Sequence, residues 1–449
     1  MILKLIYSFL YFIVLIFLLP FQYRKRPKDL RQRWLKEKFG FFNFSLRTVK
    51  SPHPPFSKGG LGGILWVHAV SVGEVIASLP LLQKLKDRYP SVSLVLSTIT
   101  DTGQRIALEK VPDRTKVIYL PFDLSFILER TLKNIQPNLF ITIETELWPN
   151  LLMTLKKRKI PAVVMNGRIS DDSFKGYKRI KFFMRSVINC VDLFCMQDAV
   201  YAERIKELGA QEEKIRVIGS FKFDTAPSLN VPEWTKLLTH PVIIAGSTHR
   251  GEEDLIVSSY LELKKDFPDL TLIIAPRHPE RFKEVEELVK KKGLEYVKRS
   301  EIRDSPPLYP PLAKGGRWGG ELQTIKGLIV ILDAVGELAS VYCVSDVAVI
   351  GGSFIEHGGQ NLLEPAFWAK PTICGPHMEN FPFAKEFYER GAAIETDSSS
   401  LCEKLKELLQ SPEKREAIGN KARELYNEKA GAVERAMKEI ERFLRNEDG

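Results

Sequence analysis

Two acidic segments and one basic segment carry side chains that could perform acid–base chemistry. Glu74 ends the stretch HAVSVGE, which runs from an apolar strand through a tight turn into a helix. Glu144 follows another apolar strand in IETELWPN, and Lys222 lies in GSFKFD. Two acidic strand ends in one domain suggest a general base and its electrostatic partner, with Lys222 as a nearby cation. The alternatives are a first-turn Glu favoured by the helix dipole, a solvated turn and a surface lysine.

Two further strand ends predict a site for an anion. GSTHRGEE places Ser247 and His249 between a strand and a helix, where free backbone N–H groups and the helix dipole favour negative charge. PRHPERF places Pro276, Arg277 and His278 at the end of the next strand, and Arg binds phosphate well. A plain N-cap and a surface ion-pair loop are the alternatives for these two motifs.

A glycine-rich loop, GGSFIEHGGQNLLEP, occupies residues 351–365. Its glycines would let a ligand approach the backbone closely. Glu364 would stand at the start of the following helix, where a carboxylate suits the two hydroxyls of a ribose. One glycine pattern alone is weak evidence, but three such strand-end loops in one domain indicate nucleotide binding.

The elements that must position these residues follow the rhythm of parallel βαβ units. Helical patterns such as Glu74–Arg88, Gly251–Lys265 and Glu280–Lys292 lie between short apolar runs. A break near residues 225–240 separates two blocks, with residues 230–240 as the expected hinge. The predicted strands are Ile64–Val67, Leu94–Ser97, Val117–Leu120, Leu139–Ile143, Ala162–Met165, Leu193–Met196, Val242–Ala245, Leu272–Ala275, Leu328–Leu332, Val347–Ile350 and Thr372–Cys374.

This pattern predicts an α/β fold with two doubly wound, Rossmann-like domains that face a cleft. Ligands of such domains bind at the carboxyl ends of the strands. The length of 449 residues agrees with two domains. Two Pro/Gly-rich inserts, residues 51–63 and 305–320, cannot bury a face and are expected to form surface loops.

The first segment predicts a membrane anchor. Residues 1–21 are apolar except for Lys4, Tyr7, Ser8 and Tyr11, and they match the length of a helix that crosses or embeds in a bilayer. A small-residue cleavage site is missing, which argues against a signal peptide. A buried core helix is the alternative. Because the chain from Leu65 onward has its own strands and motifs, we expect the anchor to be dispensable for the catalytic core.

The charge distribution supports this anchor and argues against a nucleic-acid partner. The net charge is +10, yet residues 22–50 alone hold ten Lys or Arg against Asp29 and Glu37. A nucleic-acid protein would spread its basic surface over the folded body. Here the positive-inside tendency places the basic segment on the cytoplasmic side, against anionic lipid. Five cysteines without a CxxC pair argue for reduced cytosolic thiols and against a structural zinc.

Taken in order, the motifs HAVSVGE, IETELWPN, NGRIS, GSFKFD, GSTHRGEE, PRHPERF and GGSFIEHGGQNLLEP, followed by GPHMENF, closely resemble the 3-deoxy-D-manno-octulosonic acid (Kdo) transferases of lipopolysaccharide assembly. The resemblance covers nearly the whole chain except the two inserts. It implies a GT-B fold and an inverting glycosyltransferase that needs no metal or other cofactor. It also implies a CMP-Kdo donor, a lipid A precursor (lipid IVA) as acceptor, and a cytoplasmic body held by one anchor on the inner membrane of a Gram-negative bacterium.

The resemblance also assigns roles by position. Glu74 corresponds to the general base, and Glu144 and Lys222 correspond to positions that stabilise the transition state. The donor nucleotide is expected to meet a set of residues at four strand ends: Ser247, His249, Pro276, Arg277, His278, Gly336, Glu337, Leu338, Asn361, Leu362, Leu363 and Glu364.

The implied domain organisation assigns the acceptor and the donor to different halves of the chain. Residues 1–21 form the anchor and 22–50 a basic juxtamembrane segment. Residues 64–229 form an acceptor-binding domain and 241–425 a CMP-Kdo-binding domain. A C-terminal helix at 426–449 can cross back to the first domain. Two other functions stay open: another GT-B enzyme, such as a UDP-sugar transferase or epimerase, and a non-catalytic, membrane-tethered nucleotide-sugar binder.

Overall fold

A computed structural model describes residues 2–43, 63–225, 227, 229–302 and 324–444. The chain forms two compact units. Unit 1 comprises Met1–Thr225 and Lys429–Gly449, and unit 2 comprises Ala226–Glu428. Both Pro/Gly-rich inserts lie outside the described residues, apart from Gly63.

Unit 1 opens with two helices and then alternates strands with helices. Its elements, in chain order, are α1 (Ile2–Lys25), α2 (Lys28–Lys38), β1 (Ile64–His68), α3 (Val72–Arg88), β2 (Ser93–Thr98), α4 (Asp101–Lys110), β3 (Lys116–Tyr119), α5 (Ser125–Ile135), β4 (Leu139–Ile143), α6 (Pro149–Lys157), β5 (Ala162–Gly167), α7 (Asp171–Arg179), α8 (Lys181–Ile188), β6 (Leu193–Met196), α9 (Ala199–Glu207) and β7 (Ile215–Val217).

Unit 2 continues the same alternation. Its elements are β8 (Val242–Thr248), α10 (Glu253–Leu263), β9 (Thr271–Pro276), α11 (Phe282–Lys291), β10 (Tyr296–Lys298), β11 (Ile329–Ile331), α12 (Leu338–Val341), β12 (Val347–Ile350), α13 (Leu363–Phe367), β13 (Thr372–Cys374), α14 (Ala384–Glu389), β14 (Ile394–Glu395), α15 (Leu401–Gln410) and α16 (Pro412–Lys429). The last helix, α17 (Ala432–Leu444), returns to unit 1.

Each unit is built on one parallel sheet. The strand order is β3-β2-β1-β4-β5-β6-β7 in unit 1 and β10-β11-β9-β8-β12-β13-β14 in unit 2. Buried apolar clusters lie on both faces of each sheet, as parallel sheets require. From β1 to β3 the chain adds strands towards one edge of the sheet, and from β4 onward it adds them towards the other edge, a reversal between β1 and β4. The same reversal occurs in unit 2 between β8 and β12. These are the switch points at which doubly wound folds bind ligands. The predicted fold class of two doubly wound α/β domains is confirmed.

Every strand predicted from an apolar run is present. The strands that the sequence did not predict are β7, β10 and β14, and each lies at an edge of its sheet. Their residues are exposed or only partly buried. Edge strands have no need of a continuous apolar run, so the pattern that reveals central strands cannot reveal them.

The segment expected to act as a hinge is part of the core of unit 2. Trp234 lies in a short 3-10 helix and is buried within an apolar cluster of that unit. Its Nε1 donates a hydrogen bond to Glu337 Oε2 at 3.0 Å. Leu238 forms an isolated parallel bridge with Ile325. Residues 230–240 are therefore held by packing, and the boundary between the units falls at residue 225 instead.

Helix α1 packs against the body of unit 1 along one face. Tyr7 donates a hydrogen bond from its hydroxyl to Asp123 Oδ2 at 2.9 Å, and Ser8 lies 3.2 Å from Asn150 Oδ1. Further along, Leu15 is buried in a cluster with Trp34. The expectation that the body does not need this helix therefore changes, because removing α1 would uncover a buried carboxylate and an apolar cluster.

The opposite face of α1 is strongly apolar and exposed. Phe9, Phe17 and Phe21 are 64%, 77% and 66% exposed, respectively. Among the described residues, the stretch Leu3–Lys25 is the one helix long and apolar enough to cross a membrane. One docked face and one bare apolar face make α1 a helix that can contact lipid while it remains attached to the body.

Candidate active site

Glu74 lies in the first turn of α3, directly after β1. Ser71 is the residue before the helix, and its Oγ donates a hydrogen bond to Glu74 Oε1 at 3.1 Å. The backbone N–H of Val70 donates to Glu74 Oε2 at 2.7 Å. Burial, together with the charges of Glu144 and Glu146, raises the pKa of Glu74 to about 7, although the bond from Val70 opposes the rise. A carboxylate with this pKa can take up a proton near neutral pH.

Gly73, the residue before Glu74, has open space where a side chain would stand. A Cβ added to Gly73 would meet only Ser71 Oγ, at 4.0 Å. Packing within unit 1 therefore does not require glycine at this position. The bare backbone instead allows a ligand to approach the start of α3 closely.

Glu144 follows β4, so it stands across the switch point from Glu74. Its backbone adopts a φ of 58°, in the left-handed region that non-glycine residues rarely occupy. Its N–H donates to the carbonyl of Met165 at 2.9 Å, which holds this conformation. Strained backbone of this kind concentrates at functional sites. The charge of Glu144 also raises the pKa of the half-buried Glu146, for which burial is the larger cause.

Lys222 completes this group in a 3-10 turn at Phe221–Asp224. Burial is the largest influence on the pKa of Lys222 and lowers it, the charge of Arg168 lowers it further, and the charge of Glu144 acts in the opposite direction. The structure thus places Glu144 within electrostatic reach of both Glu74 and Lys222. Their roles in a reaction stay a prediction.

Asn166 positions the Lys222 turn, and sequence reasoning assigned it no role. It is fully buried at the end of β5, with a φ of 57°. Its Oδ1 accepts a hydrogen bond from the backbone N–H of Phe221 at 3.0 Å. Nearby, the backbone N–H of Arg168 donates to Thr145 Oγ1 at 3.0 Å, which ties the β5 loop to the β4 loop. The NGRIS motif contained the signal, but its partners lie far away in the sequence.

In unit 2, a buried carboxylate joins the loops that follow β8 and β12. Glu252 is 1% exposed, and its Oε1 accepts hydrogen bonds from the N–H groups of His249, at 2.7 Å, and Gly352, at 2.6 Å. A Cβ on Gly351 would lie 2.3 Å from the carbonyl oxygen of Ser247, so only glycine allows the loops to approach this closely. Burial raises the pKa of Glu252 to about 7. In the sequence, Glu252 stands out only as part of the GSTHRGEE motif.

Three imidazoles gather where these two loops meet the loop that follows β9. The ring of His249 lies 3.9 Å from that of His357 and 5.7 Å from that of His278, between centroids. Gln360 Nε2 lies 3.1 Å from His249 Nε2. Burial and the neighbouring imidazoles lower the pKa of His249 to about 4, so this ring is neutral at physiological pH. A neutral imidazole can donate one hydrogen bond to an anionic ligand.

Arg277 and Glu364 extend this group. Arg277 follows Pro276, the last residue of β9; it is exposed, and its N–H donates to the carbonyl of Thr248 at 3.0 Å. Burial raises the pKa of Glu364 to about 7, and the bond from Asn361 and the charge of Arg277 limit the rise. Asn361 Nδ2 lies 3.2 Å from Glu364 Oε1. An exposed guanidinium beside a half-buried carboxylate offers one group for a phosphate and another for hydroxyls.

Some predicted donor residues can act only through their backbone. Leu362 and Leu363 are buried in unit 2, at 0% and 3% exposure. Glu337 Oε2 already accepts hydrogen bonds from Trp234 Nε1, at 3.0 Å, and Arg299 Nε, at 2.8 Å. Gly336 is exposed with a φ of 94° and precedes α12, which begins at Leu338. This turn can present backbone groups to a ligand, while the Glu337 side chain braces the fold.

The predicted donor residues lie at or after the carboxyl ends of β11, β9, β8 and β12, which are four adjacent strands of one sheet. Their clustering at the carboxyl edge is what the order of the strands demands. Within the described ranges, no group of three or more His, Cys, Asp or Glu residues is arranged to hold a metal ion.

Comparison with known proteins identifies related chains. Residues 33–225 match the family model described as 3-Deoxy-D-manno-octulosonic-acid transferase (kdotransferase). The chain is 34% identical to the 3-deoxy-D-manno-octulosonic acid transferase of Haemophilus influenzae over 429 residues, which cover 94% of this chain and 93% of that protein. It is 30% identical to the enzyme of the same name from Chlamydophila psittaci over 428 residues, covering 93% of both.

Among solved structures, the fold resembles the UDP-GlcNAc 2-epimerase of Neisseria meningitidis bound to UDP-GlcNAc. The TM-score is 0.55 at 13% identity, and the match covers 84% of this chain and 99% of that one. At this identity the likeness shows a shared two-domain fold and carries no information about substrate.

Proposed function

The chain belongs to the Kdo transferase family of lipopolysaccharide biosynthesis, and we propose that it transfers Kdo from CMP-Kdo to a lipid A precursor at the inner membrane. The observation that carries this proposal is Glu74. A buried carboxylate with a pKa near 7 lies at the switch point of unit 1, within electrostatic reach of Glu144, which also acts on Lys222. Removal of a proton from a sugar hydroxyl requires a positioned base with a pKa of this kind.

In the proposed reaction, Glu74 accepts the proton of an acceptor hydroxyl while that oxygen attacks the anomeric carbon of Kdo. The bond from that carbon to the CMP phosphate oxygen breaks, and the electron pair leaves with CMP. Attack from the face opposite the leaving group inverts the anomeric centre. Glu144 and Lys222 stabilise the charges that develop, since fixed charges in a dry site act strongly on a transition state.

The donor is assigned to unit 2. We propose that Arg277 binds the phosphate of CMP and that Glu364 accepts hydrogen bonds from the ribose hydroxyls. His249, held neutral between its neighbouring rings, donates a hydrogen bond to an anionic oxygen. The backbone N–H groups around Gly336 and Asn361 offer further donors to the nucleotide.

The lipid acceptor gives the apolar face of α1 a function. We propose that Phe9, Phe17 and Phe21 embed in the membrane leaflet while the docked face of the same helix holds unit 1 at the surface. An enzyme confined to that surface meets an amphiphilic acceptor without having to extract it from the bilayer.

The test is transfer by the purified full-length chain in detergent, with CMP-Kdo and tetraacylated lipid A precursor, followed by mass spectrometry of the lipid. We expect a mass increase of one or more Kdo residues, which Glu74→Gln should abolish and Glu109→Gln, an exposed change on α4, should preserve. Turnover of UDP-GlcNAc without turnover of CMP-Kdo would indicate a different GT-B enzyme. Binding of CMP-Kdo with no turnover would indicate a binding protein instead.

A further inference from the structure

We propose that unit 1 carries a phosphate-binding site formed by Arg26, Trp34 and Lys38, distinct from the Glu74 group and independent of the proposed function. Arg26 follows the last residue of α1, and the other two lie on α2. None of these residues takes part in the reaction described above.

The site lies at the carboxyl edge of the unit 1 sheet. Asp101, the first residue of α4, follows β2 and forms an ion pair with Arg26. The carbonyl of Lys38 accepts a hydrogen bond from the N–H of Phe122, shortly after β3, at 2.9 Å. His68 ends β1, and the charge of Lys38 contributes to lowering its pKa. Helix α2 thus crosses the ends of β1, β2 and β3, at the sheet edge that also carries Glu74.

The members of the site are joined by direct contact. The guanidinium of Arg26 lies 4.6 Å from the centroid of the Trp34 ring. Trp34 packs edge-on against Phe122, with centroids 6.0 Å apart, and the ammonium of Lys38 lies 5.3 Å from the same Phe122 ring. The rings of Trp34 and Phe122 thus form an apolar wall beside Arg26 and Lys38, and these four side chains are called the pocket below.

Several hydrogen-bond donors in this pocket have no acceptor among the described residues. Arg26 Nε and Trp34 Nε1 are both buried without a partner. Lys38 is 6% exposed, and within the described part of the chain its ammonium has no hydrogen bond or ion pair. Buried donors are almost always satisfied. Two such donors beside the Lys38 ammonium indicate a missing acceptor.

The charges in and around the pocket favour an anion. The facing ionisable groups are Arg26, Arg33, Glu37, Lys38, His68, Asp101 and Tyr119. Asp101 is already shared by Arg26 and the hydroxyl of Tyr119, which lies 2.8 Å away. Glu37 binds Arg33 Nε and the N–H of Tyr119, each at 2.8 Å. Both of these acids therefore have hydrogen-bond partners of their own, and Asp101 acts on Lys38 only through its charge.

Phosphate is the anion that fits this donor set. A guanidinium, an indole N–H and an ammonium are three separate donor groups, and a phosphate has more oxygens to accept from them than a carboxylate has. Burial and the charge of Arg26 lower the pKa of Lys38 to about 7. A bound dianion would raise this pKa again, so binding should draw a proton onto Lys38 above pH 7.

The phosphate can come from a soluble phosphate ester or from an amphiphile. The exposed apolar face of α1 extends to Phe21, just before Arg26 in the sequence. A phosphate at the polar boundary of a lipid layer would therefore be within reach of the pocket. Asp101 and Arg26, whose side chains are 30% and 13% exposed, form its accessible rim.

The experiment is calorimetric titration of the full-length protein in detergent with inorganic phosphate at pH 7.5, in two buffers of different ionisation enthalpy. We expect saturable binding with net proton uptake. Lys38→Met should weaken binding at least tenfold and remove the uptake, whereas Lys36→Met, an exposed change on the same helix, should do neither. Trp34→Phe, which keeps the ring and removes only the N–H, should weaken binding several-fold even if Lys38→Met fails to fold.

A second arm separates the sources of the phosphate. Phosphatidylcholine vesicles containing phosphatidic acid are compared with vesicles containing phosphatidylglycerol, which carries a diester. Binding that depends on Lys38 in the phosphatidic acid arm but is missing with inorganic phosphate would assign the site to a lipid phosphomonoester. Equal effects of Lys36→Met and Lys38→Met, or the lack of saturable binding to the parent protein in both arms, would overturn the proposal.

Discussion

Glu74→Gln separates the chemical role of Glu74 from its structural one. As a general base, Glu74 must be ionised to act, so the kcat/KM of the parent enzyme should rise by about tenfold between pH 6 and pH 8, around a pKa of about 7. Gln cannot accept the proton, and the loss of such a base typically lowers the rate by roughly 10²–10⁴-fold. The residual activity of the variant should lack the rise near pH 7.

The same substitution should change stability in the opposite direction. Burial raises the pKa of Glu74 from an ordinary value of 4.5 to about 7, so the folded protein favours the neutral carboxyl. Below pH 4.5 both the folded and the unfolded chain are protonated, and stability is unaffected. As the pH rises from 4.5 to 7, only the unfolded chain releases the proton, and the folded state loses roughly 3 kcal/mol. Gln at this position does not titrate and avoids this loss.

The assay therefore measures transfer rate and unfolding free energy for both proteins across pH 5 to 8. We expect Glu74→Gln to be far less active at every pH, yet to gain stability relative to the parent as the pH rises. Because Gln can accept the bond from Val70 but must donate to the Ser71 hydroxyl where Glu74 accepts from it, the two curves need not meet at low pH. The slope of their difference is the diagnostic quantity. Near-parental turnover in the variant, or a stability difference that is flat with pH, would refute this account of Glu74.

Four further outcomes are expected. Arg277→Ala should weaken CMP binding by roughly 10–100-fold in calorimetric titration, as loss of a charged hydrogen bond does, while Arg250→Ala should not; equal effects would make Arg277 structural. Lys222→Met should lower kcat by roughly 10²-fold with little change in donor KM, and a change in KM alone would count against transition-state stabilisation. Gly73→Ala should leave Tm unchanged, because its Cβ has open space, yet slow transfer; unchanged transfer would remove the ligand from this turn. Tyr7→Phe should lower the unfolding free energy by about 1–3 kcal/mol by removing a donor from buried Asp123, and an unchanged value would mean that this hydrogen bond contributes nothing to the docking of α1.

The sequence predicted the sheets well because their central strands are buried on both faces. Such strands must be continuous apolar runs, and runs such as Val347–Ile350 have the same bounds in the structure. The proximity of Glu74 and Glu144 could be predicted for a related reason, since parallel sheets bring the carboxyl ends of their strands to one edge. The edge strands β7, β10 and β14 lack this constraint and were missed.

The residues that sequence reasoning missed act through long-range hydrogen bonds. Asn166 acts on Phe221, and Glu252 on Gly352, across distances in the chain that no local pattern encodes. The docking of α1 did leave a signal. The contacts of Tyr7, Tyr11 and Leu15 recur every fourth residue, a stripe on one face of a helix. In an almost wholly apolar segment, the hydroxyls on that stripe were the trace of a protein-facing side.

The return of α17 to unit 1 has a consequence for synthesis. Asp224, in the Lys222 turn, accepts hydrogen bonds from the N–H groups of Gly431, at 2.5 Å, and Val433, at 2.7 Å. Helix α17 also packs on α3, the helix that begins beside Glu74. Both supports come from residues translated after the whole of unit 2. Unit 1 is therefore the first half of the chain to begin synthesis and the last to be completed. A chain that ends before residue 430 would contain all of unit 2, yet it would lack the contacts that α17 makes with the Lys222 turn and with the helix of Glu74, the proposed base.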